Sequence, residues 1–428
     1  VTAEGGKACH IPVDLHLRRT VASCLLWEKN AYEDGVSIAE RIVDLVHKND
    51  PLFVANLAIE ARTKMKLRHV PLLLVRELAR HKQCEWKVCI RNILSTIIQR
   101  PDELAEFLAL YWSDKKQPLS AQVKKGLAMA FQKFDAYSLG KYNRDNAIKL
   151  RDVLFMVHAK PRDKEQELIW KKLVDGTLES PDTWEVALSA GKDKKEIWET
   201  LLLGNKLGAL ALLRNLRNMK EVDVSEGLIK RALELMKVER VLPFRFIAAA
   251  THAPQLEPEL ETTMFKCVEG MQKLKGKTVL LVDVSGSMNS TLSAKSDMKC
   301  TDAANGLAIL LREICESVSI YTFSNKIALV PPRRGFALRD AINNSQENSG
   351  TYLGAAIDSV NNLEKEYNRI IVITDEQSHD DVKNPLGKGY MINVSTNKNG
   401  VGYREWIHID GFSESVISFI QELENINI

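Results

Sequence analysis

From about residue 37 to residue 275 the hydrophobic positions recur at helical spacing, in stretches of roughly 10–16 residues separated by short polar breaks. SIAERIVDLVHK (37–48) is followed by Asp50-Pro51, an N-cap with proline at the first helical position. FVANLAIEARTK, VPLLLVRELARHK and WKVCIRNILSTIIQ continue the pattern, Arg100-Pro101-Asp102 opens DELAEFLALYW, and Ser120 opens AQVKKGLAMAFQKF. Ser180-Pro181-Asp182 and Asp193 start further segments, and Gly176, Gly191 and Gly204 sit where helices should stop. Medium helices at short spacing, with no alternating strand pattern between them, predict either a bundle or a helical-pair solenoid. A rhythm of roughly forty residues fits HEAT-like repeats. About fourteen helices exceed what one compact bundle core holds, which favours the solenoid.

At Lys275-Gly276-Lys277 the pattern changes. TVLLVDV (278–284) is a continuous apolar, β-branched run, the signature of a strand buried on both faces. A helix near 301–315, VSIYTF (318–323), a helix near 353–364, RIIVIT (369–374), YMINVS (390–395), WIHID (406–410) and a last helix (413–425) follow. Strands alternating with helices predict a doubly wound, mostly parallel sheet. The chain of 428 residues therefore divides into a helical domain, 1–275, and an α/β domain, 276–428.

Open α/β sheets collect ligands where loops leave the carboxyl ends of the strands. Asp283, Ser285 and Ser287 follow the first strand directly, Asp375 follows RIIVIT, and Thr351 lies in SGTYLG before a helix. The pentapeptide alone would also serve as a turn with capping side chains. Two carboxylates and three hydroxyls on converging loops make a hard-oxygen set for Mg2+, or another divalent cation such as Mn2+, with water completing the shell. These positions resemble the metal-ion-dependent adhesion site of von Willebrand factor A domains: D-x-S-x-S, then Thr, then Asp. His379 is the one histidine in these loops, and hydrolytic chemistry wants a base and a fixed water. The expectation is a binding site and not an enzyme. Such sites leave one position open for an oxygen ligand, so an acidic residue of a protein partner is an expected occupant. The alternative function follows: a metal-dependent interaction scaffold.

Charge changes the picture of the helical part. Its 275 residues hold 45 Lys/Arg against 37 Asp/Glu, whereas the rest of the chain holds 14 against 19. A basic first part predicts a polyanion partner for that part, although solvated helix faces would give the same balance. RTKMKLRHVPLLLVRELARHK (62–82) carries Arg76 and Arg80 on one face with almost no local counter-charge. KYNRDNAIKLRDVLFMVHAKP (141–161) carries Lys141, Arg144, His158 and Lys160, and Pro161 should stop its helix. Cations there also complement the helix dipole. ALLRNLRNM (211–219) sets Arg214 and Arg217 with two asparagines beside a leucine stripe, types that hold phosphates and read base edges. The seven scattered cysteines form no framework, which suits reduced thiols and a cytoplasmic location. No signal segment opens the chain, and runs such as LLLV (72–75) and FIAAA (246–250) are far too short for a membrane span.

LVRELARHK, KYNRDNAIKLRDVLFMVHAKP, IWETLLLGNKLGALALLRNLRNM and PFRFIAAATHAP occur in that order before the D-x-S-x-S domain. Together they resemble the TROVE family, whose best known member is the Ro autoantigen. The resemblance implies a closed ring of HEAT-like helical pairs fastened to the von Willebrand A domain. It implies small non-coding Y-like RNA on an outer basic surface, single-stranded ends of misfolded RNA in a central hole, and a role in RNA quality control or processing. It also implies a tethered 3′ exoribonuclease in bacterial relatives, and the compact loops suit a bacterial or phage relative. Lys141 and His158 match the family's RNA-contacting lysine and histidine. Where the family has an arginine four residues after that lysine, this chain has Asp145, with Arg144 one position earlier.

Overall fold

The computed structural model describes residues 2, 5–6, 12–22, 35–81, 89–143, 145–181, 184, 188, 193–238, 241, 243–292, 298–395, 400–402, 404–411 and 415–425. Helices run to Lys266, and the first strand begins at Leu274, close to the change of pattern in the sequence. The chain nevertheless packs as two units divided elsewhere: Val13–Val21 with Val36–Val186, and Val1–Pro12, Ala22–Gly35 and Ala187–Ile428.

In the first unit the capping residues do what their chemistry allows. Asp50 accepts from the Phe53 N–H at 3.1 Å and Ser120 from the Val123 N–H at 3.3 Å, satisfying donors that a helix start leaves orphaned. Gly176 closes the helix Lys164–Asp175 in the left-handed conformation, φ 72°. The start near Ser180-Pro181-Asp182 and the stop at Gly191 fall on residues 182 and 191, outside the described residues. Helices Ile90–Ile97 and Ala121–Phe131 cross where Gly126 sits, and a Cβ there would lie 3.0 Å from Arg91 Cα and Leu94 Cβ. Between Lys141 and Pro161 the chain is less helical than its pattern predicts. Ala136–Tyr142 ends first, Leu150–Val157 follows, and His158 stops it at φ 54°, three residues ahead of Pro161.

The second unit joins the last helices to the sheet. Glu257 of the helix Glu257–Lys266 pairs with Arg339 at 3.0 Å, and Glu261 accepts from the Phe336 N–H at 2.7 Å. The helix Pro243–His252 packs on Cys300–Ile314. These contacts place helices from Ala187 onward with the α/β region, so packing crosses the sequence boundary at 275.

The sheet runs β3-β2-β1-β4-β5-β6, with β1 Leu274–Asp283, β2 Cys315–Phe323, β3 Ile327–Leu329, β4 Arg369–Thr374, β5 Lys388–Asn393 and β6 Trp406–Asp410. All neighbours are parallel except β2 and β3. That antiparallel edge and the helix Gly335–Asn343 are additions to the elements legible in the sequence. Val279, Leu281, Ile370 and Val372 join Phe323, Ile357 and Trp406 in one core, while Leu280, Val282, Ile371 and Ile373 are buried too. Burial on both faces explains why these strands read as unbroken apolar runs.

Candidate metal centre and nucleic-acid interface

β2 lies on one side of β1 and β4 on the other, so the chain reverses its winding where β1 and β4 end. Loops diverge at such a switch point and leave a crevice. Val282 pairs with Ile373, which brings Asp283 beside Thr374 and the following Asp375. Asp283 Oδ2 accepts from Thr374 Oγ1 at 2.6 Å, and Oδ1 accepts from the Ser285 N–H at 2.8 Å. The Ser285 and Ser287 hydroxyls are 3.1 Å apart. Gly286 N–H donates to Ser349 O at 2.8 Å, drawing in the loop that carries Thr351. The Ser324 hydroxyl pins that loop by donating to Gly350 O and accepting from the Ser349 N–H, both at 2.9 Å. Asp375 Oδ1 accepts from the Gln377 N–H at 3.1 Å.

Asp283, Ser285, Thr351 and Asp375 are buried, and Ser287 is half-buried. Burial pushes the nearby Cys300 thiol up to about 12, with Asp375 and then Asp283 adding to the shift. Asp283 lies beside Thr374, so Asp375, the next residue, belongs to the same strand end. Two buried like charges in a low dielectric repel and are costly to desolvate, and a divalent cation would offset both effects. The five residues fit Mg2+ or Mn2+ by charge and donor type. Bound there, the ion would supply an open coordination position for an oxygen ligand. No group of three or more His, Cys, Asp or Glu suited to a metal occurs among the described residues, and the hydroxyls complete the set instead.

His379 stacks on Tyr352 with ring centroids 4.9 Å apart, and its N–H donates to Thr351 O at 2.9 Å. The amino-terminal segment reaches the same loop: Thr2 Oγ1 donates to Ser378 O at 2.8 Å. A Cβ on Gly6 would fall 1.9 Å from that carbonyl, so only glycine fits this approach. Thr374, Ser324 and these loop contacts carry no motif of their own, and sequence reasoning missed them.

The basic residues divide sharply. Arg76 is buried, with Nη1 donating to Leu110 O at 3.1 Å and Ser113 Oγ at 2.9 Å and Nε donating to Glu77 at 2.5 Å. Arg80 donates to Asp114 at 2.7 Å and Tyr111 O at 2.7 Å. Arg62 pairs with buried Glu103 at 2.6 Å, and Arg68 pairs with Asp102 at 2.7 Å. The counter-charge missing from 62–82 is thus supplied by residues 102–114, and these arginines brace helices. This corrects the reading of Arg76 and Arg80 as open phosphate contacts.

Lys141, His158 and Lys160 differ. His158 and Lys160 are exposed and Lys141 half-buried, and none makes an ion pair among the described residues. Asp145 pairs with Lys149 at 2.6 Å. Arg144 lies outside the described residues. Arg217 is exposed but held by Glu221 at 3.1 Å. Asn215 is buried and donates to Ala211 O at 2.8 Å, so it reads no base edge. Arg214 is exposed without an ion pair among the described residues, and its charge acts on Arg245 of the helix Pro243–His252. Burial and then Arg214 hold the Arg245 guanidinium below its usual range.

The TROVE domain matches residues 16–177 and 176–274, and the von Willebrand factor type A domain matches 278–377. Telomerase protein component 1 of Rattus norvegicus is 23% identical over 303 residues, half of this chain and 11% of that protein. Its Mus musculus counterpart is 34% identical over 91 residues, 20% of this chain and 4% of that protein. The chain therefore spans a small part of the length of these relatives. The crystal structure of the Deinococcus radiodurans Ro (RSR) protein superposes with a TM-score of 0.64 at 17% identity, covering 95% of this chain and 98% of that one. The helices followed by a mixed sheet share that fold, and the domain match over most of the helical part shows that the chain belongs to the TROVE family, here with a von Willebrand factor type A domain.

Proposed function

We propose that the protein is a non-enzymatic RNA-binding protein acting in the cytoplasm in RNA quality control or processing. Membership of the TROVE family supports the RNA partner. The observation that carries the reading within this chain is the segment with Lys141, His158 and Lys160, whose side chains pair with no acidic side chain among the described residues. In this reading these side chains hold the phosphates of a small, structured Y-like RNA. Single-stranded 3′ ends of misfolded RNA occupy the central hole that a closed ring of helical pairs would provide, and a 3′ exoribonuclease is recruited through the bound RNA. No helix among the described residues is long and apolar enough to cross a membrane.

Binding through phosphates releases counterions, so affinity should fall steeply with salt. Gel-shift titrations of a structured RNA bearing a 3′ tail, at two salt concentrations, test this. Absent or salt-insensitive binding overturns the reading.

A second reading rests on the crevice between β1 and β4. Asp283, Ser285, Ser287, Thr351 and Asp375 would hold Mg2+ and grip an acidic residue of a protein partner, with the helices as scaffold. Asp283→Ala would then abolish capture of that partner and spare RNA binding.

A further inference from the structure

We propose that the leucine-lined cavity at the turn LLLGNKLGAL (201–210) docks a short protein segment in which an acidic side chain stands beside large aliphatic ones. The proposal is independent of the RNA-binding reading and of the metal centre, with which the cavity shares no residue.

The turn follows from its sequence. The helix Lys194–Leu203 ends at Gly204, and Asn205 takes the left-handed conformation, φ 48°, which asparagine tolerates better than most side chains. That bend lets the Lys206 N–H donate to Leu201 O at 3.0 Å and the Asn205 N–H donate to Leu202 O at 3.1 Å. Gly208 then starts the helix Ala209–Glu221, with φ −67°, ψ 153° and no capping side chain. Between this turn and the end of the helix Glu226–Glu234 lies a cavity of about 380 Å3, within the roughly 300–1,000 Å3 range of small-ligand sites. Leu201, Leu202, Leu207, Leu212 and Met236 give it apolar walls. Leu235, also in the wall, is 53% exposed, so the apolar lining continues out to solvent. Leu203 and Leu210 of the same turn are 65% and 45% exposed. Grouped aliphatic surface of this kind marks an interaction site.

Charge selects the partner. Lys206 and Lys237 line the cavity and are exposed, and no Asp or Glu stands among its lining residues. Neither lysine makes an ion pair among the described residues. The uncapped first turn of Ala209–Glu221 adds backbone N–H donors and the positive end of the helix dipole. A carboxylate complements all of these, and the leucines around it call for aliphatic neighbours. A nucleic acid would bring the negative charge, but no aromatic ring and no arginine lines this wall for its bases to stack on. A single acyl chain would fill the cavity yet leave Leu203 and Leu210 in water. The observations favour a peptide.

The test selects a random dodecapeptide display library on the full chain and counter-selects it on Gly208→Asp. A Cβ at Gly208 meets nothing within 4 Å, so aspartate fits, caps the helix and places a carboxylate where the ligand's would sit. The expected peptides carry an acidic residue beside leucine, isoleucine or phenylalanine. Fluorescence anisotropy should find them weaker on the order of tenfold on Gly208→Asp, and likewise on Lys206→Ala combined with Lys237→Ala. Gly208→Asp should melt no lower than the parent. A lower melting temperature means that the helix start already has a partner, and it overturns the proposal. No enriched peptide, enriched peptides without an acidic residue, or equal binding to parent and variants overturns it too. Displacement of the peptide by decanoate or by an oligouridylate at lower concentration than by unlabelled peptide assigns the cavity to a lipid or to RNA, with the same result.

Discussion

Two basic segments of the helical region look alike in sequence and behave differently in space. Residues 62–80 carry six arginines and lysines, and residues 141–160 carry five with one histidine. In the first, Arg62, Arg68, Arg76 and Arg80 are spent on Glu103, Asp102, Glu77 and Asp114. In the second, Lys141, His158 and Lys160 make no ion pair among the described residues. Local charge density measures what a segment contains, and ion-pair geometry decides what it offers. A guanidinium already holding a carboxylate must break that pair before it can hold a phosphate.

The strongest way to break this comparison is Arg62→Ala. It strands a buried carboxylate, Glu103, and should cost about 3–5 kcal/mol in chemical denaturation. An unaffected midpoint would mean the pair is dispensable and Arg62 is held for another purpose. Lys141→Ala with His158→Ala should leave the denaturation midpoint in place and weaken structured RNA on the order of tenfold, with a shallower salt slope. Arg76→Ala should do the reverse, costing about 1–3 kcal/mol of stability with the salt slope unchanged. Matching slopes for the two variants would erase the distinction. Asp283→Ala should abolish Mg2+ binding in calorimetry while structured RNA binds within about twofold of the parent. The smallest effect concerns Cys300. A thiol raised to about 12 is protonated throughout the neutral and mildly alkaline range, so thiolate should not form until strongly alkaline pH. Alkylation followed by mass spectrometry should find Cys300 unmodified at pH 8 in the folded protein.

Much of the α/β region was legible because burial on both faces writes itself as apolar runs. RIIVIT and WIHID coincide with β4 and β6. β3 has three residues, too few to show a period, and its pairing depends on β2. The five oxygen-bearing residues were legible since three share one turn and the others directly follow or precede regular elements. Their bracing was not: Thr374 is an ordinary strand residue until the β1–β4 register sets it against Asp283. The arginine pairs were hidden for a related reason. Arg62 and Glu103 are 41 residues apart, and Arg68 and Asp102 are 34 apart, well beyond the i,i+4 reach that sequence can read. Where the partner is local the sequence does speak, as Arg217 and Glu221 show.

The contact between Thr2 and Ser378 has a consequence for the order in which the protein is made. The two residues are 376 positions apart, so the amino-terminal segment leaves the ribosome long before its docking surface exists. At roughly 5–20 residues per second that wait lasts tens of seconds. Throughout it Thr2 and Gly6 have no native place to settle, and the helices between them and the sheet fold first. The segment can then lock down only after the loop that follows Asp375 has been made.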